Sequence, residues 1–552
     1  MQPRSTLNAY IADSVRNNWN LPALTDLGSS TLTYKDVARK IAKLHILYKE
    51  IGLHPGDKIA LCGRNSSHWC VAFLSAMTYG AVIVPILADF KPDNIQHLIN
   101  HSDSRLAIID ESVWEALNPD GMPALKGTLA TRDFSLLHSN DEQLTHVRAH
   151  LNELFGQSYP DRFTPGHVQY YEEDNSELCL ISYTSGSTGF SKGVMLPYRS
   201  LWSNVQECID HITTEPGDGV VCMFPLAHMY GLTIDMLRPF VSGNHINVLT
   251  RTPSPRILAE AFAQVHPRIV VAVPLILEKI IRTQVFPMLE KPLMKLMLMV
   301  PYVDDRLLSK IRSRLLDTFG GNLEQIIIGG AALNKDVERF LRRCRFPYTV
   351  GYGMTECGPL ISYAPASENR MGSCGEIVDR MEARIDSPLP ETVPGVLWTR
   401  GDNVMIGYYK NPEATEATFD KDGWLCTGDI CNLDRDGFLY IRGRDKNMIL
   451  GPSGQNIYPE EIEDKLNNLP YVAESIVVGS SQGKLTAIIV PDLESATSQG
   501  FTLEDIQRIM EENIHTLNDT LPSYSHVHGI RIQEEEFEKT PKRSIKRYLY
   551  KV

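Results

Sequence analysis

Between Leu178 and Met195 the chain reads LCLISYTSGSTGFSKGVM, an apolar run that breaks into glycine, serine and threonine and ends on a lysine. Residues of these types in this order make an anion cradle. Small residues such as Gly186 and Gly189 let backbone N–H groups approach an oxyanion. The hydroxyls of Thr184, Ser185, Ser187 and Thr188 add donors, and Lys192 supplies mobile positive charge. The spacing is not that of a Walker A loop, because Gly189 is followed by Phe190, Ser191 and Lys192 rather than directly by lysine and a hydroxyl residue. A phosphate-bearing ligand is implied and the P-loop architecture is excluded.

The stretch YTSGSTGFSKGV also resembles the signature loop of the adenylate-forming superfamily of acyl-CoA synthetases, luciferases and nonribosomal adenylation domains. Further blocks continue the likeness in family order. FPLAHMYG, Phe224 to Gly231, is similar to the block whose histidine, here His228, lies by the acyl pocket and nucleotide. The same likeness assigns Tyr230, Gly231 and Gly329 to the acyl pocket. IIIGGAAL, Ile326 to Leu333, places Gly330, Ala331 and Ala332 beside adenine or the acyl group. VGYGMTECGP, Val350 to Pro359, resembles the block that lines the nucleotide with Gly351, Tyr352, Gly353, Met354 and Thr355. There Tyr352 would stack on adenine, Thr355 would contact the α-phosphate, and Glu356 would bind Mg²⁺ together with Thr184. A hard cation suits a carboxylate and phosphate oxygens. WLCTGD implies that Asp429 accepts from the ribose hydroxyls, and GRDKNMI puts Arg444 near ribose or phosphate. Read alone, Asp429 and Arg444 would be a surface ion pair and His228 a packing residue.

The resemblance implies a two-step reaction: a carboxylate attacks the ATP α-phosphate to give acyl-AMP and pyrophosphate, and a thiol then attacks the acyl carbon. ATP, Mg²⁺ and CoA are the expected cofactors. The family's small domain turns about a hinge that falls here on Lys446, and Gly454 is the expected backbone contact for CoA. One departure concerns the tail, where the family carries a catalytic lysine. This chain reads KTPKRSIKR, with Ser544 in that lysine's place and Lys542 and Lys546 two positions to either side. In an extended segment all three share a face, yet a shift of about 7 Å is large for catalytic positioning. The likeness is strongest to long-chain fatty acyl-CoA synthetases, through extra residues around Val285 to Phe319. A ligase loading an acyl carrier protein, and a weakened acyl- or nucleotide-binding homologue, stay open as alternatives.

The elements that must position these residues alternate strand and helix. Val37, Ile41, Leu44, Leu47, Tyr48 and Ile51 recur at helical spacing up to Gly52, and Lys58 to Cys62 then reads as a strand. Similar runs at Ala81–Ile86, Arg105–Ile109, Leu178–Tyr183, Val220–Phe224, Asn244–Leu249, Ile269–Val273 and Gln325–Ile328 imply an α/β fold of largely parallel, helix-covered sheets. Ligands belong at the C-terminal strand ends. The reading divides a large domain, 1–444, from a small mobile α+β domain, 445–552, whose elements run from Ile441 through a helix at Glu460–Leu466 to a helix at Leu503–Leu517. Pro119–Pro165 is polar and reads as a surface excursion. Val285–Val303, with four methionines, reads as a core helix, or else as an acyl gate or membrane-touching face.

At 552 residues the length calls for more than one domain. The net charge of −13 disfavours a nucleic-acid partner. The ten cysteines show no zinc spacing and read as reduced packing residues. The N-terminus lacks a basic start followed by an apolar stretch, so a cytoplasmic address is expected. The expected partners are a fatty acid and CoA or a carrier protein, with peripheral membrane contact left open.

Overall fold

In the computed structural model, which describes residues 5–184, 191–300, 302–450, 456–479, 484–540 and 545–550, the first helical pattern becomes the helix Tyr34–Glu50. Its start is set locally. Thr33 accepts from the Asp36 N–H while the Asp36 carboxylate accepts from the Thr33 N–H, satisfying two donors the helix cannot use itself. Val37, Ile41, Leu44, Leu47 and Tyr48 are buried along one face.

The strand Lys58–Cys62 that follows is fully apolar after its first residue, as a strand covered on both faces must be. It runs parallel to Val82–Ile86 and Ser104–Ile109. Leu178–Thr184 and Gly127–Ala130 extend this parallel centre. Antiparallel strands complete an eight-stranded sheet, Leu136–Ser139 at one edge and Lys192–Pro197 then Gly407–Tyr408 at the other. A second sheet sets Gly219–Cys222, His245–Val248 and Pro22–Asp26 in parallel. A third, wholly parallel, joins Ile269–Ala272, Gln325–Ile328 and Tyr348–Val350. The large N-terminal part is therefore α/β with mainly parallel, helix-covered sheets. A four-stranded antiparallel sheet, Met381–Asp386 to Leu439–Arg444, follows it. The C-terminal unit is α+β: strands Val472–Gly479, Leu485–Pro491 and Val527–Ile532 carry helices Pro459–Leu466 and Leu503–Asn518 around buried Ile462, Leu466, Ile489 and Met510.

Three expectations are corrected. The polar stretch Pro119–Pro165 is no excursion, since Gly127–Ala130 is buried along its length and pairs with Ser104–Ile109 in the main sheet. Its short strands were hidden among polar edge residues. Val285–Val303 does not form a core helix: it breaks into Phe286–Leu289 and Pro292–Met297, and Leu293, Leu296 and Met299 are exposed. Pro287 and Pro292 at helix starts explain the interruptions. Ile441 belongs to Leu439–Arg444, which pairs with Leu425–Leu433 rather than with the C-terminal unit. Among the described residues no helix is long and apolar enough to cross a membrane.

Candidate active site

Leu178–Thr184 and Lys192–Pro197 form an antiparallel pair in which Thr184 stands opposite Lys192, the Thr184 hydroxyl donating to the Lys192 carbonyl at 3.5 Å. The turn between them, Ser185, Gly186, Ser187, Thr188 and Gly189, lies outside the described residues. Lys192 is half-buried, with Nζ 4.7 Å from the centre of the Tyr408 ring. Tyr408 arrives there because Gly407–Tyr408 pairs with Met195 and Val194. Its hydroxyl donates to Glu356 Oε1 at 2.9 Å. Burial first, and the Glu356 charge second, push the phenol pKa up, so Tyr408 stays a donor. Lys192, Tyr408 and Glu356 thus form a line of cation, ring and carboxylate.

Glu356 sits in the single turn Thr355–Cys357, which is held from behind by buried Asn204. The Asn204 amide donates to the Cys357 carbonyl at 3.0 Å and accepts from the Leu360 N–H at 2.8 Å. Thr233 donates to the Gly358 carbonyl at 3.0 Å. Glu356, Thr355 and Thr184 carry hard oxygen donors of the kind Mg²⁺ takes.

Parallel pairing of Ile328 with Val350 brings two glycine-rich turns to the same end of the third sheet. Gly330, Ala331 and Ala332 are exposed there, with Gly330 at φ +86°, a left-handed conformation that favours glycine. Gly351 donates to the Ile328 carbonyl at 2.9 Å and leads into Tyr352, Gly353 and Met354. The Tyr352 hydroxyl donates to Asp429 Oδ2 at 2.5 Å, and Arg444 Nε reaches Oδ1 at 3.0 Å. Asp429 and Arg444 are opposed in strand register. Burial raises the Asp429 pKa, with Arg444 and Tyr352 opposing. For Lys446, burial lowers the pKa, Arg444 and Lys192 lower it further, and Asp429 opposes. Lys446 therefore lies within electrostatic reach of both Lys192 and Asp429.

Among the residues expected to line an acyl pocket, the Tyr230 hydroxyl donates to the Ile327 carbonyl at 3.2 Å, and its ring lies 5.0 Å from that of Phe224. A Cβ at Gly329 would come within 2.9 Å of the Tyr230 ring, and one at Gly231 within 2.8 Å of Phe224 Cβ. Both positions need glycine for this close approach. His228 is half-buried on the turn before Gly231, its N–H bonded to the Pro225 carbonyl at 3.0 Å. Asn65 clamps this turn, donating to the Phe224 carbonyl at 2.5 Å and accepting from the Leu226 N–H at 2.9 Å.

Gly454, Lys542 and Ser544 lie outside the described residues. Lys546 pairs with Glu538 at 3.1 Å, within the C-terminal unit. Tyr408, Asn204 and Asn65 were not anticipated from sequence. The only signals were a tyrosine in a GYYK run and two asparagines beside serines, none of which carries chemistry on its own.

The AMP-binding enzyme family model matches residues 11–409, and the AMP-binding enzyme C-terminal domain matches residues 446–551. A long-chain-fatty-acid–CoA ligase of Escherichia coli is 27% identical, covering 85% of this chain and 82% of that protein. A 4-coumarate–CoA ligase of Oryza sativa is also 27% identical, covering 89% of this chain and 84% of that protein. Among solved structures, ATP-bound MatB from Rhodopseudomonas palustris superposes with a TM-score of 0.75 at 22% identity, covering 99% of this chain and 98% of that one.

Proposed function

The chain belongs to the AMP-binding enzyme family, and from that premise we propose that it activates a fatty acid as acyl-AMP and passes the acyl group to CoA. The observation that carries this reading is the pair of contact clusters, Lys192 with Tyr408 and Glu356, and Asp429 with Tyr352 and Arg444, both of which include a group within electrostatic reach of Lys446. One cluster supplies cationic and oxygen-donor groups suited to phosphates, the other a buried carboxylate suited to ribose.

Carboxylates are poor electrophiles, and transfer to a phosphorus centre needs alignment and charge stabilisation more than covalent help from the protein. Lys192 would stabilise charge on the phosphates, and Tyr352 would give adenine a flat face. Glu356 and Thr184 would hold Mg²⁺, which when bound would offset charge on the departing pyrophosphate. Tyr230 and His228 would line the acyl side, where Gly231 and Gly329 let the turns close on each other. Lys446 would be the hinge between a large domain, 1–444, and a small one, 445–552. A fatty acid is favoured by the E. coli relative and by the extra helical residues around Val285–Phe319.

Pyrophosphate release across fatty acids of graded length, with CoA and with a carrier protein, tests this. ATP- and fatty-acid-dependent release with an acyl-CoA product is expected. Transfer only to carrier protein would replace the acceptor. ATP binding without pyrophosphate release would replace the reaction itself.

A further inference from the structure

Between Lys291 and Val303 several of the described apolar side chains face outward. Leu293, Leu296, Met299, Val300, Tyr302 and Val303 are all exposed, Met299 by 78% and Tyr302 by 84%. Single exposed apolar residues are ordinary surface, whereas a contiguous set this dense marks a contact face. The face is anchored. Met294, Met297 and Leu298 are half-buried beneath it, and the Arg343 guanidinium donates to the Leu298 carbonyl at 3.4 Å. Tyr302 adopts φ +69°, a left-handed conformation costly for an aromatic residue, and its ring still projects into solvent.

Charge selects the occupant. Within Lys291–Val303 the charged residues are Lys291 and Lys295, with Glu290, Asp304 and Asp305 just outside it, in a chain whose net charge is −13. An isologous pairing of two copies would bring two lysine-bearing faces together with no acid within the segment to meet them. The geometry points to the surface of an anionic lipid bilayer: the leucines, Met299 and Tyr302 enter the headgroup–acyl boundary while Lys291 and Lys295 meet lipid phosphates. This inference does not depend on which acid the enzyme activates.

Co-sedimentation of the full chain with phosphatidylcholine vesicles, with and without phosphatidylglycerol, tests it in the absence of ATP and fatty acid. Wild-type protein is expected to sediment with the anionic vesicles and to be released by salt. L296Q/M299Q should lower partitioning at least about tenfold, and K291E/K295E should remove the preference for phosphatidylglycerol. Circular dichroism and the thermal midpoint check that the variants fold. Wild-type protein that stays in solution with anionic vesicles, or variants that sediment as wild type does, would overturn the assignment. So would a concentration-dependent dimer in the ultracentrifuge that L296Q/M299Q dissolves, since the face would then be a self-interface. Pyrophosphate release measured without vesicles reports separately on the proposed activity, so either reading can fail alone.

Discussion

Tyr352 donates its hydroxyl to Asp429 Oδ2 at 2.5 Å, binding a turn after the third sheet to the four-stranded sheet that follows it. Arg444 takes the other carboxylate oxygen, so the buried Asp429 is oriented from both sides before any ligand arrives. Each carboxylate oxygen has a second acceptor site left, which is what a pair of ribose hydroxyls requires.

Asp429→Asn keeps the shape and removes the charge. ATP affinity is expected to fall by about tenfold or more, the scale of a lost charge-assisted hydrogen bond. Tyr352→Phe keeps the ring and should cost less affinity, because only the orientation of Asp429 is relaxed. Calorimetric titration with ATP checks both, and wild-type affinity in Asp429→Asn would remove the ribose assignment.

Glu356→Gln is expected to slow adenylation at least about tenfold with the fold intact, since an acid that holds a metal contributes several kcal/mol of charge stabilisation. Tyr408→Phe separates holding from orienting. It leaves the carboxylate but removes its donor, so a smaller loss is expected. Pyrophosphate release at saturating Mg²⁺ is the readout, and full turnover in Glu356→Gln would sink the metal role.

Asp235 gives a pH prediction. It is fully buried on the segment Gly231–Leu237 and its pKa is pushed up to about 7 by burial, with the Phe224 and Met223 N–H groups and Arg238 opposing. Because the folded state holds this proton more tightly than the unfolded chain, Asp235 favours folding at low pH. That contribution is lost as pH rises from about 4 towards 7. Asp235→Asn should flatten the fall in stability across this window, by a few kcal/mol at most. Denaturant titrations at a series of pH values check the slope, and an unchanged slope would show that Asp235 does not titrate there.

Strands were legible where burial on both faces leaves a continuous apolar run. Lys58–Cys62 and Gln325–Ile328 have the bounds that their composition suggests. Gly127–Ala130 and the edge strand Leu136–Ser139 were not, because each is only 4 residues long and their flanks are polar. The candidate site divides in the same way. Lys192, Glu356, Asp429 and Arg444 stand in motifs, but Tyr408 meets Glu356 across 52 positions and Asn204 meets Cys357 across 153. A tyrosine or asparagine whose role is to hold another residue has no local pattern, so only the fold reveals it.

Lys446→Pro addresses the hinge. Lys446 lies in the short turn Asp445–Asn447, between the Arg444 that pairs with Asp429 and the C-terminal unit. Proline restricts φ, so adenylation is expected to persist while thioester formation falls. The two half-reactions are measured separately, by pyrophosphate release and by CoA transfer from preformed acyl-AMP. Equal loss of both would remove the hinge assignment.

The tail bears on how the proposed first half-reaction would be driven. If a lysine at position 544 would place a cation between carboxylate and α-phosphate, its absence should slow adenylation and spare the second step. Ser544→Lys is then expected to raise ATP-driven pyrophosphate release severalfold or more, with little change in CoA transfer from preformed acyl-AMP. Lys546→Ala and Lys542→Ala are the necessary controls. Lys546 is already paired with Glu538 at 3.1 Å, which raises its pKa and keeps it charged. To serve the site it would have to leave that partner. Glu538→Gln should therefore increase adenylation if Lys546 has taken over the role, and should do nothing if it has not. An unchanged rate in Ser544→Lys, together with silent Lys542→Ala, Lys546→Ala and Glu538→Gln variants, would show that this tail position does not limit the first step and that the cation at Lys192 suffices.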